Sequence, residues 1–162
     1  MKILKPRKED LVEIKNILSQ WNDEEYTEIY FSRVRNEIDG ILEFNMKFWI
    51  AFDNGVLGVI GLSDLSPDLS IFSKTDKPGQ LKILYIDDKM RGKKIGKKLT
   101  LFIERETLKQ GYKEILVKSA EIYKDTAWGF YEKMGYKQMG LTNNNRNDKK
   151  SMIFQKTLKP AE

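Results

Sequence analysis

The fold hinges on one stretch, Leu81-Lys82-Ile83-Leu84-Tyr85-Ile86-Asp87-Asp88-Lys89-Met90-Arg91-Gly92-Lys93-Lys94-Ile95-Gly96-Lys97-Lys98-Leu99. Its first six residues are almost all apolar, and Leu99, Phe102 and Ile103 prolong a helical stripe begun at Ile95 that stops at Gly111. The pattern predicts a buried strand, a glycine-containing turn and an amphipathic helix. The positive end of a helix dipole lies at its N-terminus, so an acid there stabilises by roughly 0.3–1 kcal/mol and a lysine does the opposite. Yet Lys93, Lys94, Lys97 and Lys98 crowd the first turns, with Arg91 just before them. Cations gathered where free backbone N–H groups already attract an anion suit a phosphate ligand, which Gly92 and Gly96 would admit to the main chain. A solvated basic face on an ordinary surface helix has the same local sequence, and these residues alone leave both readings standing.

The 162 residues fit one domain that can bury a core without disulfide or metal staples. Apolar residues make up 40% and charged residues 33%, a soluble globular composition. No apolar run approaches the ~20 residues needed to span a bilayer, and Met1-Lys2-Ile3-Leu4-Lys5-Pro6 lacks the apolar region of a signal peptide, so a cytoplasmic location is expected. The chain has no Cys and no His. Disulfide frameworks, thiolate nucleophiles, Cys/His zinc sites and Ser-His-Asp triads are thereby excluded. Chemistry must rest on Tyr, Asp, Glu, Lys, Ser, Thr or backbone groups. A net charge of +5 and a pI near 9.2 favour anionic partners in general.

Taken in order, residues 1–5 can form a short strand ended by Pro6 and Arg7. Leu11, Ile14, Ile17 and Leu18 mark a helix face opened by Glu9-Asp10. Tyr26, Ile29, Tyr30, Val34, Ile38 and Ile41 predict a second helix over 24–42. Two apolar runs, 48–52 and 56–62, flank Asp53-Asn54-Gly55 and predict a hairpin. Residues 63–79 are rich in Ser, Asp, Lys and Pro and read as a long loop. Glu114 to Ala120 reads as a strand; Asp125 is expected to cap a short helix of Ala127, Trp128, Phe130, Tyr131 and Met134 that Gly135 ends. Tyr136 to Leu141 and Ser151 to Leu158 are the last strands, joined by a polar segment from Asn143 to Lys150. The order predicts a mixed sheet with helices on both faces.

Gly92 and Gly96 do not fit the Gly-x-Gly-x-x-Gly fingerprint, and no Gly-Lys-Ser/Thr follows to make a nucleotide-triphosphatase loop. The opening stretch does resemble the acyl-CoA loop of the GNAT superfamily of N-acetyltransferases, an Arg/Gln-x-x-Gly/Ala-x-Gly/Ala pattern after a strand. Ala127-Trp128-Gly129-Phe130-Tyr131-Glu132-Lys133-Met134-Gly135-Tyr136 is similar to that family's Ala-x-x-x-Tyr-x-x-x-Gly-Phe/Tyr segment. The element order matches along nearly the whole chain.

The resemblance implies an α/β (α+β) fold, one N-acetyltransferase domain over residues 1–162, with a mixed central sheet of about six to seven strands and about four helices. It implies acetyl-CoA as acyl donor and an amine acceptor, in a family where homodimers are frequent. Leu84, Tyr85 and Ile86 correspond to the bulged strand that pairs with the pantetheine arm, and the Ile86 N–H to the donor facing the thioester oxygen. Arg91, Gly92, Lys93, Lys94, Ile95 and Gly96 correspond to the pyrophosphate loop, with Lys97 adding charge. Tyr131 matches the tyrosine that protonates the departing thiolate. A phenol with pKa near 10 stays protonated at neutral pH and can serve a thiolate whose thiol titrates near 8.5.

Three positions depart from the family pattern. Lys94 stands where the first loop glycine is usual, Lys82 where many members carry a Glu that helps deprotonate the amine, and Lys124 where an asparagine often precedes the tyrosine helix. Glu121, just beyond the strand ending at Ala120, and Asp64 are the carboxylates considered as base; each also reads as an ordinary surface group. Two rivals to acetyl transfer are a catalytically silent CoA-binding module, favoured by Lys82, and a basic nucleic-acid-binding domain, disfavoured because the Arg91–Lys98 cluster lacks interleaved aromatics.

Overall fold

At Asp53-Asn54-Gly55 the chain turns back on itself with Asn54 at φ 55° and Gly55 at φ 144°, the backbone that Asn-Gly supplies most easily. The turn joins β2 (Lys47–Phe52) to β3 (Val56–Asp64), and the predicted hairpin forms. The structure is a computed structural model and describes residues 1–143 and 149–160. The other strands are β1 (Lys2–Leu4), β4 (Pro78–Ile86), β5 (Glu114–Ala120), β6 (Lys137–Asn143) and β7 (Lys150–Thr157). The helices are α1 (Leu11–Trp21), α2 (Glu24–Ile38), α3 (Ile95–Lys109) and α4 (Ala127–Lys133). The strands make one mixed seven-stranded sheet in the order β1-β2-β3-β4-β5-β7-β6, the α/β architecture expected. β4 and β5 run parallel, and α3 supplies the crossover that parallel neighbours require; β1–β2, β2–β3, β5–β7 and β6–β7 are antiparallel.

The residues gather into two compact units, the first Met1–Ser63 with Lys82–Ile103, the second Asp64–Leu81 with Glu104–Glu162. In the first, the stripe read from the sequence is the core: Ile14, Ile17 and Leu18 of α1 and Val34 of α2 are buried with Phe48, Ile50 and Val59. Asp10 takes hydrogen bonds from the amide (2.9 Å) and guanidinium (3.1 Å) of Arg7 and so ties the start of α1 to the preceding turn. Two glycines of β3 let the neighbouring main chain come close. A Cβ on Gly61 would lie 2.7 Å from the buried Phe48 ring and 3.1 Å from the Lys82 carbonyl; one on Gly58 would lie 2.7 Å from Ile86 Cδ1 and 3.1 Å from the Tyr85 carbonyl. We therefore expect Gly61→Ala to lower the unfolding free energy by about 1–3 kcal/mol, the usual range for overpacking, as measured by denaturant titration. An unchanged midpoint would show that the strands separate freely.

In the second unit, Leu69, Leu116 and Ile153 form a buried cluster with Leu65, Phe72 and Met139 packed on it. The segment 63–79 is therefore not the plain loop expected. β3 extends into it to Asp64, a 3-10 helix occupies Pro67–Phe72 with Leu69 fully buried, and β4 already begins at Pro78. What orders it lies far away in sequence. Ser66 donates its amide to Gln80 Oε1 at 2.9 Å, and the Thr75 amide donates to Glu114 Oε1 at 2.8 Å.

Other expectations need smaller corrections. Helix α2 stops at Ile38 rather than at residue 42, because Gly40 turns left-handed (φ 82°) and the Ile41 amide bonds back to the Asn36 carbonyl at 2.8 Å. Ile41, read as continuing the stripe, is exposed, and so is Leu42. Thr126, not Asp125, sits at the N-cap of α4. The buried strand expected over 81–86 is buried only through Leu81; from Lys82 to Ile86 it is half-buried. Of the polar connection between β6 and β7, residues 144–148 lie outside the described residues. Among the described residues no helix is long and apolar enough to cross a membrane.

Candidate active site

Within the first unit, the main chain changes character at Ile83, whose φ is 45°. A β-branched residue in the left-handed region costs of order 1–3 kcal/mol, so the surrounding sheet must hold it there. Leu84, Tyr85 and Ile86 beyond it are half-buried, as Lys82 and Ile83 already are. The departure from extended backbone at Ile83 lies one residue before the three residues that the resemblance assigns to the pantetheine arm.

β4 ends as the Asp87 amide donates to the Leu57 carbonyl at 2.9 Å; a 3-10 turn over Asp88–Met90 then leads into the basic loop. Gly92 (φ 79°) and Lys94 (φ 62°) are both left-handed and alternate with their neighbours. Alternating hands of this kind turn successive backbone N–H groups to one side and make an anion-binding concavity. α3 follows at once. The Lys98 amide donates to the Lys94 carbonyl at 3.1 Å, which puts the amides of Ile95, Gly96 and Lys97 in the first turn, where a helix offers no acceptor of its own. Arg91, Lys93, Lys94, Lys97 and Lys98 are all exposed around these amides, while Ile95 and Leu99 are buried and anchor the helix. The helix begins two residues later than the lysine pattern suggested, so Lys93 and Lys94 belong to the loop.

The left-handed Lys94 explains why glycine suits this position. Lys94→Gly is expected to leave stability unchanged or to raise it by up to about 1 kcal/mol, because release of backbone strain offsets the added freedom of the unfolded chain. Thermal unfolding checks this, and a loss of more than about 1 kcal/mol would mean the lysine side chain itself holds the loop.

Sequence reasoning missed three residues at the end of α1. The Trp21 indole donates to the Ile86 carbonyl at 2.9 Å, Gln20 Oε1 accepts from the Asp88 amide at 2.9 Å, and Asn22 Oδ1 accepts from the Tyr85 hydroxyl at 3.3 Å. Trp21 continues the spacing of Ile14, Ile17 and Leu18, which was the available signal.

Within the second unit, Tyr131 is 6% exposed. Its ring packs on Phe130 and Phe154, both at 5.3 Å between centroids, and on Tyr136 at 5.8 Å. Burial pushes its phenol well above the ordinary tyrosine range. The same helix carries Trp128, whose Nε1 is buried without a hydrogen-bond partner among the described residues. Glu121 opens a 3-10 turn over Glu121–Tyr123 and is exposed. Asp64 accepts a hydrogen bond from the Tyr112 hydroxyl. Lys82 lies half-buried on β4, in the first unit. Among the described residues no group of three or more His, Cys, Asp or Glu side chains could hold a metal ion.

A sequence model described as the acetyltransferase (GNAT) domain matches residues 15–151. The chain therefore belongs to the GNAT acetyltransferase family. Among curated proteins no sequence match is found. Solved structures share the fold at low identity. A protein from Desulfovibrio desulfuricans assigned to the GNAT family is 12% identical with a TM-score of 0.78, over 96% of this chain and 98% of its own. The aminoglycoside 6'-N-acetyltransferase from Enterococcus faecium is 19% identical with a TM-score of 0.69, over 100% of this chain and 99% of its own. The PaiA N-acetyltransferase from Thermoplasma acidophilum, crystallised with coenzyme A, is 20% identical with a TM-score of 0.68, over 97% of this chain and 98% of its own.

Proposed function

We propose that the protein transfers an acetyl group from acetyl-CoA directly to a primary amine. The observation that carries this reading is the loop between β4 and α3, where left-handed Gly92 and Lys94 present successive amides at a helix N-terminus ringed by five exposed cations. A pyrophosphate has the charge and the acceptor oxygens for that loop, and coenzyme A bound to the Thermoplasma relative supports the choice of nucleotide. Arg91, Gly92, Lys93, Lys94, Ile95, Gly96 and Lys97 hold the pyrophosphate; Leu84, Tyr85 and Ile86 pair with the pantetheine arm.

In the reaction, the amine nitrogen attacks the thioester carbonyl carbon, and the tetrahedral intermediate breaks its C–S bond. The Ile86 N–H faces the carbonyl oxygen as negative charge develops there. The Tyr131 hydroxyl gives its proton to the departing thiolate, and the amine proton leaves to water, with Glu121 as the candidate acceptor. The absence of Cys and His from the sequence accords with transfer in a ternary complex rather than through a covalent carrier.

Thiol release from acetyl-CoA, screened against small amines, polyamines, aminoglycosides, amino acids and peptides, tests the reading. Release that depends on one acceptor class supports it. Lys82 at the strand position where many relatives carry a glutamate favours a second reading, a CoA-binding module without catalysis. Tight acetyl-CoA binding with no acceptor-dependent release from any class would support that instead.

A further inference from the structure

Three consecutive side chains at the end of α1, Gln20, Trp21 and Asn22, reach the end of β4 and the turn that leads into the loop assigned above to acetyl-CoA. Successive helix residues point about 100° apart, so three in a row seldom meet one neighbour. Here Gln20 and Trp21, the last two helical residues, reach Asp88 and Ile86, and Asn22, where the chain has left helical geometry (φ −130°, ψ 155°), reaches Tyr85. Around the bend between β4 and the loop, each successive residue has a main-chain group tied down. The Ile86 carbonyl is held by Trp21, the Asp87 amide by the Leu57 carbonyl and the Asp88 amide by Gln20. The last of these lies three positions before Arg91, whose guanidinium rests 4.3 Å above the Trp21 ring centroid.

Attraction to the ring leaves a guanidinium with N–H donors to offer, and these suit phosphate oxygens. An arginine in water loses much rotamer freedom on binding an anion, and an indole beneath it removes part of that loss beforehand.

We propose that Gln20 and Trp21 are positioning residues for acetyl-CoA, fixing the main chain at Asp88 and Ile86 and presenting Arg91 before the ligand arrives. The inference rests on the acetyl-CoA reading of the loop.

Calorimetric titration with acetyl-CoA tests it on the wild type, Trp21→Phe, Trp21→Leu, Arg91→Ala and the double variant Trp21→Leu/Arg91→Ala. Trp21→Leu is expected to weaken binding about tenfold, and Trp21→Phe, which keeps a ring but loses the N–H, about threefold. In the Arg91→Ala background the same Trp21→Leu change should cost no more than about threefold, since the stacking partner is already gone. Trp21→Leu should raise KM for acetyl-CoA by a larger factor than it lowers kcat, a split that general loosening of the fold would not give. If Trp21→Leu fails to fold by circular dichroism, Gln20→Ala decides, with an expected weakening of about threefold. Binding within about twofold of wild type in the deciding variant, or an equal loss from Trp21→Leu in both backgrounds, overturns the proposal. A wild type that binds no acetyl-CoA overturns the functional reading and this inference with it, whereas normal wild-type binding with unaffected variants overturns this inference alone.

Discussion

Tyr131→Phe is expected to lower kcat about a hundredfold while acetyl-CoA affinity stays within about twofold, the scale of losing one general acid. The substitution keeps the ring that packs on Phe130, Tyr136 and Phe154 and deletes only the hydroxyl, so the surrounding core has no reason to rearrange. Burial disfavours the charged phenolate, which moves loss of the proton to higher pH. The wild-type kcat profile should therefore show no falling limb from Tyr131 below about pH 10, the ordinary phenol range. A falling limb near pH 8 that vanishes in Tyr131→Phe would contradict the burial argument, and an unchanged kcat would remove Tyr131 from the reaction.

Glu114→Ala is expected to destabilise the protein by about 3–4 kcal/mol in denaturant titration, among the larger losses seen for one side chain. Glu114 is fully buried at the start of β5. Its carboxylate takes hydrogen bonds from the Ser73 hydroxyl, the Lys74 amide (3.1 Å), the Thr75 amide (2.8 Å) and hydroxyl (2.9 Å), and Gln155 Nε2 (2.6 Å). Removing it takes the acceptor from the Lys74 and Thr75 amides and the Thr75 hydroxyl, although the Ser73 hydroxyl keeps the Thr75 carbonyl (2.7 Å) and Gln155 Nε2 keeps Thr157 Oγ1 (2.9 Å), and it frees the turn that leads into β4. Burial by itself would raise the carboxyl pKa, but the donors from Ser73, Gln155, Lys74 and Thr75 outweigh it and hold the group below the usual glutamate range. The sign follows: the contribution is complete at neutral pH and is lost as pH falls from the ordinary glutamate value through the lower folded one. Glu114→Gln should accordingly flatten the acid limb of the stability curve. A curve as steep as that of the wild type would mean that other carboxylates govern acid unfolding.

The elements legible in the sequence were those decided locally. Asn54-Gly55 makes its turn by its own backbone preference, and Ile14, Ile17 and Leu18 mark their buried face by spacing alone. What escaped was decided by distant partners or by strain. The 3-10 helix at Pro67–Phe72 depends on Gln80 and Glu114, the latter some 40 residues ahead of the turn it holds. Ile83, a strong strand former, gives no hint of its left-handed backbone. In the candidate site, the basic loop drew notice because its cations are odd for a helix N-terminus, and Tyr131 only through its match to a family pattern. The grip of Gln20 and Trp21 was not readable, because a tryptophan ending an apolar stripe reads as core and its donor's target is 65 residues away.

At 19.0 kDa the chain is small enough for amide-resolved NMR, and following its backbone amides during an acetyl-CoA titration tests the cofactor site most directly. The largest shifts should fall on Gly92, Lys93, Lys94, Ile95, Gly96 and Lys97, with a second group at Leu84, Tyr85 and Ile86. Amides of this loop that stay unmoved at saturating acetyl-CoA would contradict the assignment of the pyrophosphate to it.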